Sequence, residues 1–234
     1  VVGTPGSGKT RVITERVKYL VEEKGVKNTN ILVITFTKAA AVQMKKRYEA
    51  MVSGDAKRVY FGTFHAIFFT ILKYAYHYTA DNIIRDDVKR QLLRELANKE
   101  EIEMQDENDF LNELVSEISK VKGEMLDLRH YYSPNCPGES FRRIYSGYQS
   151  ILESRKLIDF DDMLVYCYEL LKAREDIRQM WQRQYPYILI DEFQDINKVQ
   201  YDIVKMLASP KNNLFIVGDD DQSINRLVGD DDQS

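Results

Sequence analysis

Residues 3–10 read Gly-Thr-Pro-Gly-Ser-Gly-Lys-Thr and fit the phosphate-loop pattern G-x-x-x-x-G-K-[ST] at every fixed position. Gly3, Gly6 and Gly8 let the backbone curl so that successive N–H groups face phosphate oxygens, with Thr4, Pro5 and Ser7 completing the cradle. Lys9 can reach the β- and γ-phosphates, and the Thr10 hydroxyl can ligate Mg²⁺. A second string, residues 187–192, is apolar and ends in two carboxylates. Asp191 can hold Mg²⁺ through its water shell opposite Thr10, and Glu192 can take a proton from an attacking water. A third string, residues 213–222, ends in Gln222, a residue type that orients such a water or senses the γ-phosphate. Taken singly, these strings also read as a glycine-rich turn, a solvated strand end and an ordinary loop glutamine. Asp219, Asp220 and Asp221 do not make a calcium loop, because the glycine at position six and the glutamate at position twelve are missing.

These side chains need a frame that brings distant strings to one place. After the loop, Val12, Ile13, Val17, Leu20 and Val21 recur at helical spacing, which puts the loop at a helix N-terminus where the dipole favours anions. Residues 31–36 form a run apolar on both faces, the pattern of a buried parallel strand. Thr37 is expected to cap a helix over residues 38–52 with Ala40, Met44 and Tyr48 on its stripe. Residues 59–63 read as a short strand leading into an aromatic helix over 64–78. Strands at 187–192 and 213–219 complete a parallel sheet whose carboxyl ends converge on a ligand crevice. Between them the character changes. Charged helices are expected over 86–101, 108–121 and 141–155, with turn-rich residues 133–138 before the third. No strand signal interrupts this stretch, so it reads as an all-helical insertion whose stripes serve as core or as a partner-binding face. Only Val1 and Val2 stand where the strand before the loop is expected, which reads as a chain clipped at that end. Residues 217–223 recur as 228–234; the function is assigned to the first copy, which follows a full strand.

Composition bounds the rest. The 234 residues, 44% hydrophobic and 30% charged, suit a globular α/β protein with ample core. Lys plus Arg number 33 against 37 Asp plus Glu, a net charge of −4, so any polyanion must be met by a local patch. No apolar run approaches the roughly 20 residues that span a bilayer. Cys136 and Cys167 are too few and too far apart for a disulfide framework or a zinc site, and a reducing cytoplasm is the expected setting.

Taken together, the strings resemble the UvrD/Rep/PcrA-like superfamily 1 DNA helicases. The matching pieces are residues 3–10 (GTPGSGKT), 34–47 (ITFTKAAAVQMKKR), 62–69 (GTFHAIFF), 158–164 (IDFDDML), 188–197 (ILIDEFQDIN) and 216–224 (IVGDDDQSI), in the family's order from end to end. The resemblance implies a phosphate-loop, RecA-like parallel sheet flanked by helices, with the helical block as an inserted subdomain. Domain 1A is then residues 1–80 and 157–234, and subdomain 1B residues 81–156. It implies ATP and Mg²⁺ as cofactors, with Glu192, Gln222 and Lys9 in catalysis. Gly3 to Thr10 and Asp191 would hold the nucleotide, and Thr10 and Asp191 the metal. It also implies a motor moving 3′ to 5′ on single-stranded DNA and opening duplex junctions, with a second helicase domain elsewhere in the full-length protein and little turnover without it. Thr35, Phe36, Thr37, Lys38, Thr63, Phe64 and His65 would line the DNA channel. An exposed aromatic at a strand end can stack a base for roughly 1–3 kcal/mol, and Lys38, Lys45, Lys46 and Arg47 can face phosphates. Core packing for the two phenylalanines, and a hydrogen-bonded loop position for His65, are the competing readings.

The chain departs from the family pattern at Thr4-Pro5, in lacking the upstream adenine-reading glutamine segment, and at 225–227, where Asn-Arg-Leu replaces an aromatic-Arg-Gly-Ala stretch. A helicase-nuclease subunit of the AddA or RecB type, and a phosphate-loop regulator that does not move on DNA, remain as alternatives.

Overall fold

The computed structural model describes residues 7–192 and 195–218, the side chains of Ser7 and Lys9 excepted. The chain divides into two compact units. One comprises Val1–Ile67, Glu169–Ile196 and Gln200–Ser234, the other Phe68–Tyr168 and Asn197–Val199.

The first unit is built on a four-stranded parallel sheet. Its strands are β1 (Ile31–Thr35), β2 (Tyr60–Thr63), β3 (Tyr187–Asp191) and β4 (Leu214–Val217), in the order β2-β1-β3-β4. β1 is buried along its whole length, as its two-faced apolar run requires. Helices α1 (Ser7–Glu22) and α2 (Lys38–Glu49) pack on this sheet. Ile13, Val17 and Leu20 of α1 meet Met44 and Tyr48 of α2 and Ile31, Val33, Phe61, Leu189 and Val217 of the strands in one core cluster. Each such side chain, fully buried, contributes roughly 1.5–3 kcal/mol of transfer free energy. The stripe of α2 runs through Ala41, not Ala40. Ala41 is buried together with Met44 and Tyr48, while Ala40 is half-exposed, a slip of one residue along the helix.

In the second unit, helices α4 (Asp86–Lys99), α5 (Glu107–Gly123) and α6 (Ser140–Ser154) form a bundle. Leu92, Leu93 and Ala97 of α4 share a core with Phe110, Leu111, Leu114 and Ile118 of α5 and with Phe141, Ile144, Tyr148 and Leu152 of α6. The stripes are therefore core. Buried Glu117 is satisfied inside this unit, accepting from the Tyr131 hydroxyl at 2.8 Å and from Asn135 Nδ2 at 3.1 Å. Helix α3 (Phe64–Tyr76) follows β2 directly. Three further helices, α7 (Phe160–Ala173), α8 (Glu175–Gln184) and α9 (Lys198–Ala208), occupy stretches where the sequence reading placed none. The divisions between the units fall within α3 and α7 and near the start of α9. Cys136 and Cys167 are both buried free thiols, pushed up from their ordinary range chiefly by burial. Among the described residues no helix is long and apolar enough to cross a membrane.

Candidate nucleotide and nucleic-acid site

All four strands run the same way, so their carboxyl ends share one edge of the sheet. Thr35 of β1 pairs with Thr63 of β2, Ile34 with Ile190 of β3, and Asp191 with Val217 of β4. The two clusters that the sequence singled out, around Thr35–Lys38 with Thr63–His65 and around Asp191–Glu192, thus stand along this edge.

Asp191 ends β3 and is buried at 8% exposure. The next residue, Glu192, is exposed and takes φ 54°, in the left-handed region. Its carbonyl accepts a hydrogen bond from Asp195 N–H at 3.1 Å, which closes the turn. Of the other non-glycine residues with positive φ among those described, His77, Glu101, Met125 and Lys156 follow helix ends, where such a conformation is the usual cap, and Asn212 stands in the turn that leads into β4. Glu192 alone follows a strand. Holding a glutamate there costs about 1–2 kcal/mol, and strain of that kind gathers at sites that need a side chain aimed in a fixed direction.

Helix α1 begins at Ser7, inside the glycine loop, so its first N–H groups lie where the loop hands over to the helix. Gly8 is exposed, lies in that first turn without a positive φ, and a Cβ there would meet no atom of the described residues within 4 Å. Neither conformation nor packing calls for glycine at this position. Close approach of a ligand to the backbone would. Thr10 is half-buried one turn into α1, and buried Thr14 donates from its hydroxyl to Thr10 O and Arg11 O, both at 3.0 Å. Helix α1 packs against β3 and β4. The donor set fits a magnesium nucleotide: helix N–H groups and a hydroxyl on α1, and a carboxylate at the strand edge. Gly3, Thr4, Pro5, Gly6 and Gln222, with the aspartates at 219–221, lie outside the described residues, as do the side chains of Ser7 and Lys9.

At the β1–β2 end of the edge, hydroxyls organise the backbone. Thr37 caps α2, its Oγ1 accepting from Ala40 N–H at 3.1 Å, and Thr35 donates to Thr37 O at 3.1 Å. Thr63 does the same for α3 by accepting from Ala66 N–H at 3.2 Å. Phe36 is half-buried and tilts against Phe64, with ring centroids 5.2 Å apart and an angle of 59°. The expectation of an exposed ring fails for Phe64, which is 1% exposed, because its position at the start of α3 turns it into the core beneath Phe36. Thr35 is also buried, at 1%, so both act from below. Phe36, Thr37 and Lys38 keep exposed surface, as do Thr63 and His65 in part.

A second constellation, in the helical unit, was not read from the sequence as a site. Lys122 Nζ donates to Asp159 Oδ2 at 2.6 Å and to Asp162 Oδ1 at 3.0 Å, with all three side chains nearly inaccessible. Asp159 and Asp162 each accept the other's backbone N–H, at 2.7 and 3.1 Å, which makes a reciprocal cap at the start of α7. The signal was there in two aspartates three apart before an apolar run. Burial opposes charge on Asp159, yet Lys122 overcomes it and holds that carboxyl below its ordinary range. Burial and then Asp159 push Asp162 up.

Comparison with known proteins agrees with the fold. Residues 1–234 match the family model described as the UvrD/REP helicase N-terminal domain. A putative ATP-dependent DNA helicase, YjcD of Bacillus subtilis, is 36% identical over 98% of this chain and 31% of its own length. The probable DNA helicase II homolog of Mycoplasma capricolum is 32% identical over 96% of this chain and 32% of its own. The ATP-dependent DNA helicase PcrA of Staphylococcus aureus is 34% identical over 96% of this chain and 31% of its own. The chain thus spans about a third of the length of these relatives. With the whole sequence matched and a parallel sheet carrying its acids at the carboxyl edge, this chain belongs to the UvrD/REP helicase N-terminal domain family.

Proposed function

We propose that this chain is the ATP-binding motor half of an ATP-dependent DNA helicase that moves 3′ to 5′ along single-stranded DNA and opens duplex ahead of it. The observation that carries the reading is the shared carboxyl edge, where the Asp191–Glu192 turn and the Phe36–Lys38 corner are set by one parallel sheet. In this reading domain 1A comprises residues 1–80 and 157–234, and subdomain 1B residues 81–156.

The α1 N-terminus and Lys9 bind the phosphates, with residues 3–8 as the cradle. Thr10 and Asp191 hold Mg²⁺. Bound magnesium ATP supplies the electrophilic γ-phosphorus and a stabilised leaving group. Glu192, exposed and fixed by its turn, takes the proton of the attacking water, and Gln222 orients that water. Phe36 stacks a base, supported from beneath by Phe64. Thr37, Lys38, Thr63 and His65 contact the strand's backbone, and the hydroxyl of Thr35 fixes the loop that carries them. A second helicase domain in the full-length protein completes the site, since an arginine supplied from outside such a site is worth 10³–10⁵ in rate.

The test is ATP turnover by the full-length protein with and without single-stranded DNA. Strong stimulation by the strand is expected, and Glu192→Gln should keep ATP binding while abolishing turnover. Turnover indifferent to DNA, or wild-type turnover in Glu192→Gln, would remove the motor reading.

A further inference from the structure

The helical unit contains a pocket of about 460 Å³ that the nucleotide and channel assignments do not use. Its size is that of a small-molecule site. Its walls are aromatic: Tyr76, Tyr78 and Tyr166 line it together with His77. Tyr76 and Tyr78 meet edge to face, with centroids 6.1 Å apart at 72°, and Tyr76 remains 52% exposed. Burial pushes Tyr78 and Tyr166 up, helped at Tyr78 by the Tyr76 phenol and Asp162 and at Tyr166 by Asp162, the Tyr78 phenol and Glu153, so both stay protonated donors at neutral pH.

The frame of the pocket is fixed. Asn82 Nδ2 donates to Lys156 O at 2.9 Å, Ile158 N–H donates to Asn82 O at 2.7 Å, and Ile84 N–H donates to Ile158 O at 2.9 Å. Helices α3 and α6 both end at this pocket with a left-handed residue, a position that glycine fills at least cost. Here His77 (φ 58°) and Lys156 (φ 55°) stand there instead, and their side chains line the pocket. Glu153 and Lys156 bring opposite charges to the rim, and among the described residues neither side chain takes an ion-pair or hydrogen-bond partner.

We propose that this pocket takes one unpaired nucleobase of a single-stranded nucleic acid, stacked on the tyrosines. An uncommitted carboxylate accepts from the exocyclic amino group that adenine, cytosine and guanine carry, and an uncommitted ammonium beside it meets a phosphate. Aromatic faces supply the sequence-tolerant part of the affinity. A cationic protein segment would also favour tyrosines and Glu153, but Lys156 on the same rim repels it. The proposal rests on the reading that this protein handles DNA, and adds a site separate from the Phe36 corner.

The full-length protein is irradiated with short oligonucleotides carrying one 5-iodouracil at successive positions, and adducts are mapped by mass spectrometry. Adducts on the peptides that hold Tyr76, Tyr78 or Tyr166 are expected, alongside those near Phe36. Tyr76→Ala, at an exposed position that folding does not need, should remove the first set only and weaken binding of the oligonucleotide roughly 5- to 100-fold. Glu153→Gln should weaken amino-bearing bases and spare thymine. Adducts confined to residues 35–38 and 63–65, with Tyr76→Ala binding normally, would overturn this site and leave the motor reading intact. Absence of any single-strand binding would overturn both. Loss in Tyr76→Ala of affinity for an oligo-arginine peptide, with oligonucleotide affinity unchanged, would overturn the nucleobase in favour of a cationic partner.

Discussion

Replacing Lys122 by methionine tests whether the buried charge cluster holds the helical unit together. The ammonium donates to Asp159 at 2.6 Å and to Asp162 at 3.0 Å, and lies 5.1 Å from the centroid of the Tyr148 ring. Tyr148 donates its hydroxyl to the same Asp159 oxygen at 2.9 Å, and Lys89 Nζ stands 4.0 Å from that oxygen. Methionine fills most of the lysine stem's volume, so little cavity forms and the loss is mainly electrostatic. Two buried carboxylates then face each other, with Lys89 the one cation beside them among the described residues. Breaking a buried pair in this way costs about 3–5 kcal/mol. For a chain of this size each kcal/mol moves Tm by about 2–4 °C, so a fall of roughly 6–20 °C is expected at pH 8.

The pH dependence separates electrostatics from packing. In the native chain Asp159 lies below its unfolded value, near 3.9, so its contribution is present above that pH and lost as the pH falls through the folded pKa. Asp162 is already raised, by burial first and then by Asp159, so it stabilises the fold as acid protonates it. Without the ammonium both carboxyls are raised, and the variant recovers stability as the pH falls from 8 towards 5. Lys122 itself is raised, its two aspartates outweighing burial, so the native advantage is full below about pH 10.4 and declines above the folded pKa. Denaturant melts of both proteins at pH 5 and pH 8 measure this. A deficit below about 1 kcal/mol at pH 8, or the same deficit at both pH values, would refute the reasoning.

Two changes near the proposed nucleotide should leave the fold at least as stable while impairing function. Glu192→Gly relieves the left-handed backbone and should leave stability equal or higher by up to about 1 kcal/mol, with turnover lost. Gly8→Ala has room for its Cβ and improves helix propensity by about 0.8–1.0 kcal/mol, with nucleotide affinity reduced; melting curves and ATP titration read both. Phe36→Ala should weaken single-strand binding by about 1–3 kcal/mol with a small change in Tm, by fluorescence anisotropy and thermal melts. Phe64→Ala should cost about 3–5 kcal/mol of stability, and a Phe64 variant as stable as wild type would contradict its burial.

The sheet was legible because its apolar runs are short, rich in β-branched residues and bounded by turn residues, and β1 is buried along its whole length. The helical bundle was legible for the same kind of reason, its stripes being wide and its flanks charged. Helix α8 gave no signal because Ile177 is its one buried residue, so its amphipathic contrast comes from position and not from an apolar run. Helix α9 did carry a stripe, Val199, Ile203, Val204 and Leu207, hidden behind the acidic string that drew the functional reading. Phe36 and Phe64 look alike in sequence, each at a strand end beside a threonine. Only the register of Thr35 against Thr63, which lays one ring on the other, decides which faces outward. Lys122 reads as an ordinary cation in a helix's last turn, and nothing local reveals that its aspartates arrive from 37 and 40 residues away.

Local rules are broken in two opposite senses near the proposed nucleotide. At Gly8 a glycine sits where the helix would be better served by alanine and where, among the described residues, the space for a methyl group is open. At Glu192 a glutamate sits where the backbone would be better served by glycine. A fold selected for stability alone would exchange the two choices, at no cost to packing that the structure reveals. In the proposed motor, one position gives up a side chain to expose backbone donors, and the other endures strain to aim a carboxylate. Both are what phosphate binding and proton removal require, and neither is what the core requires.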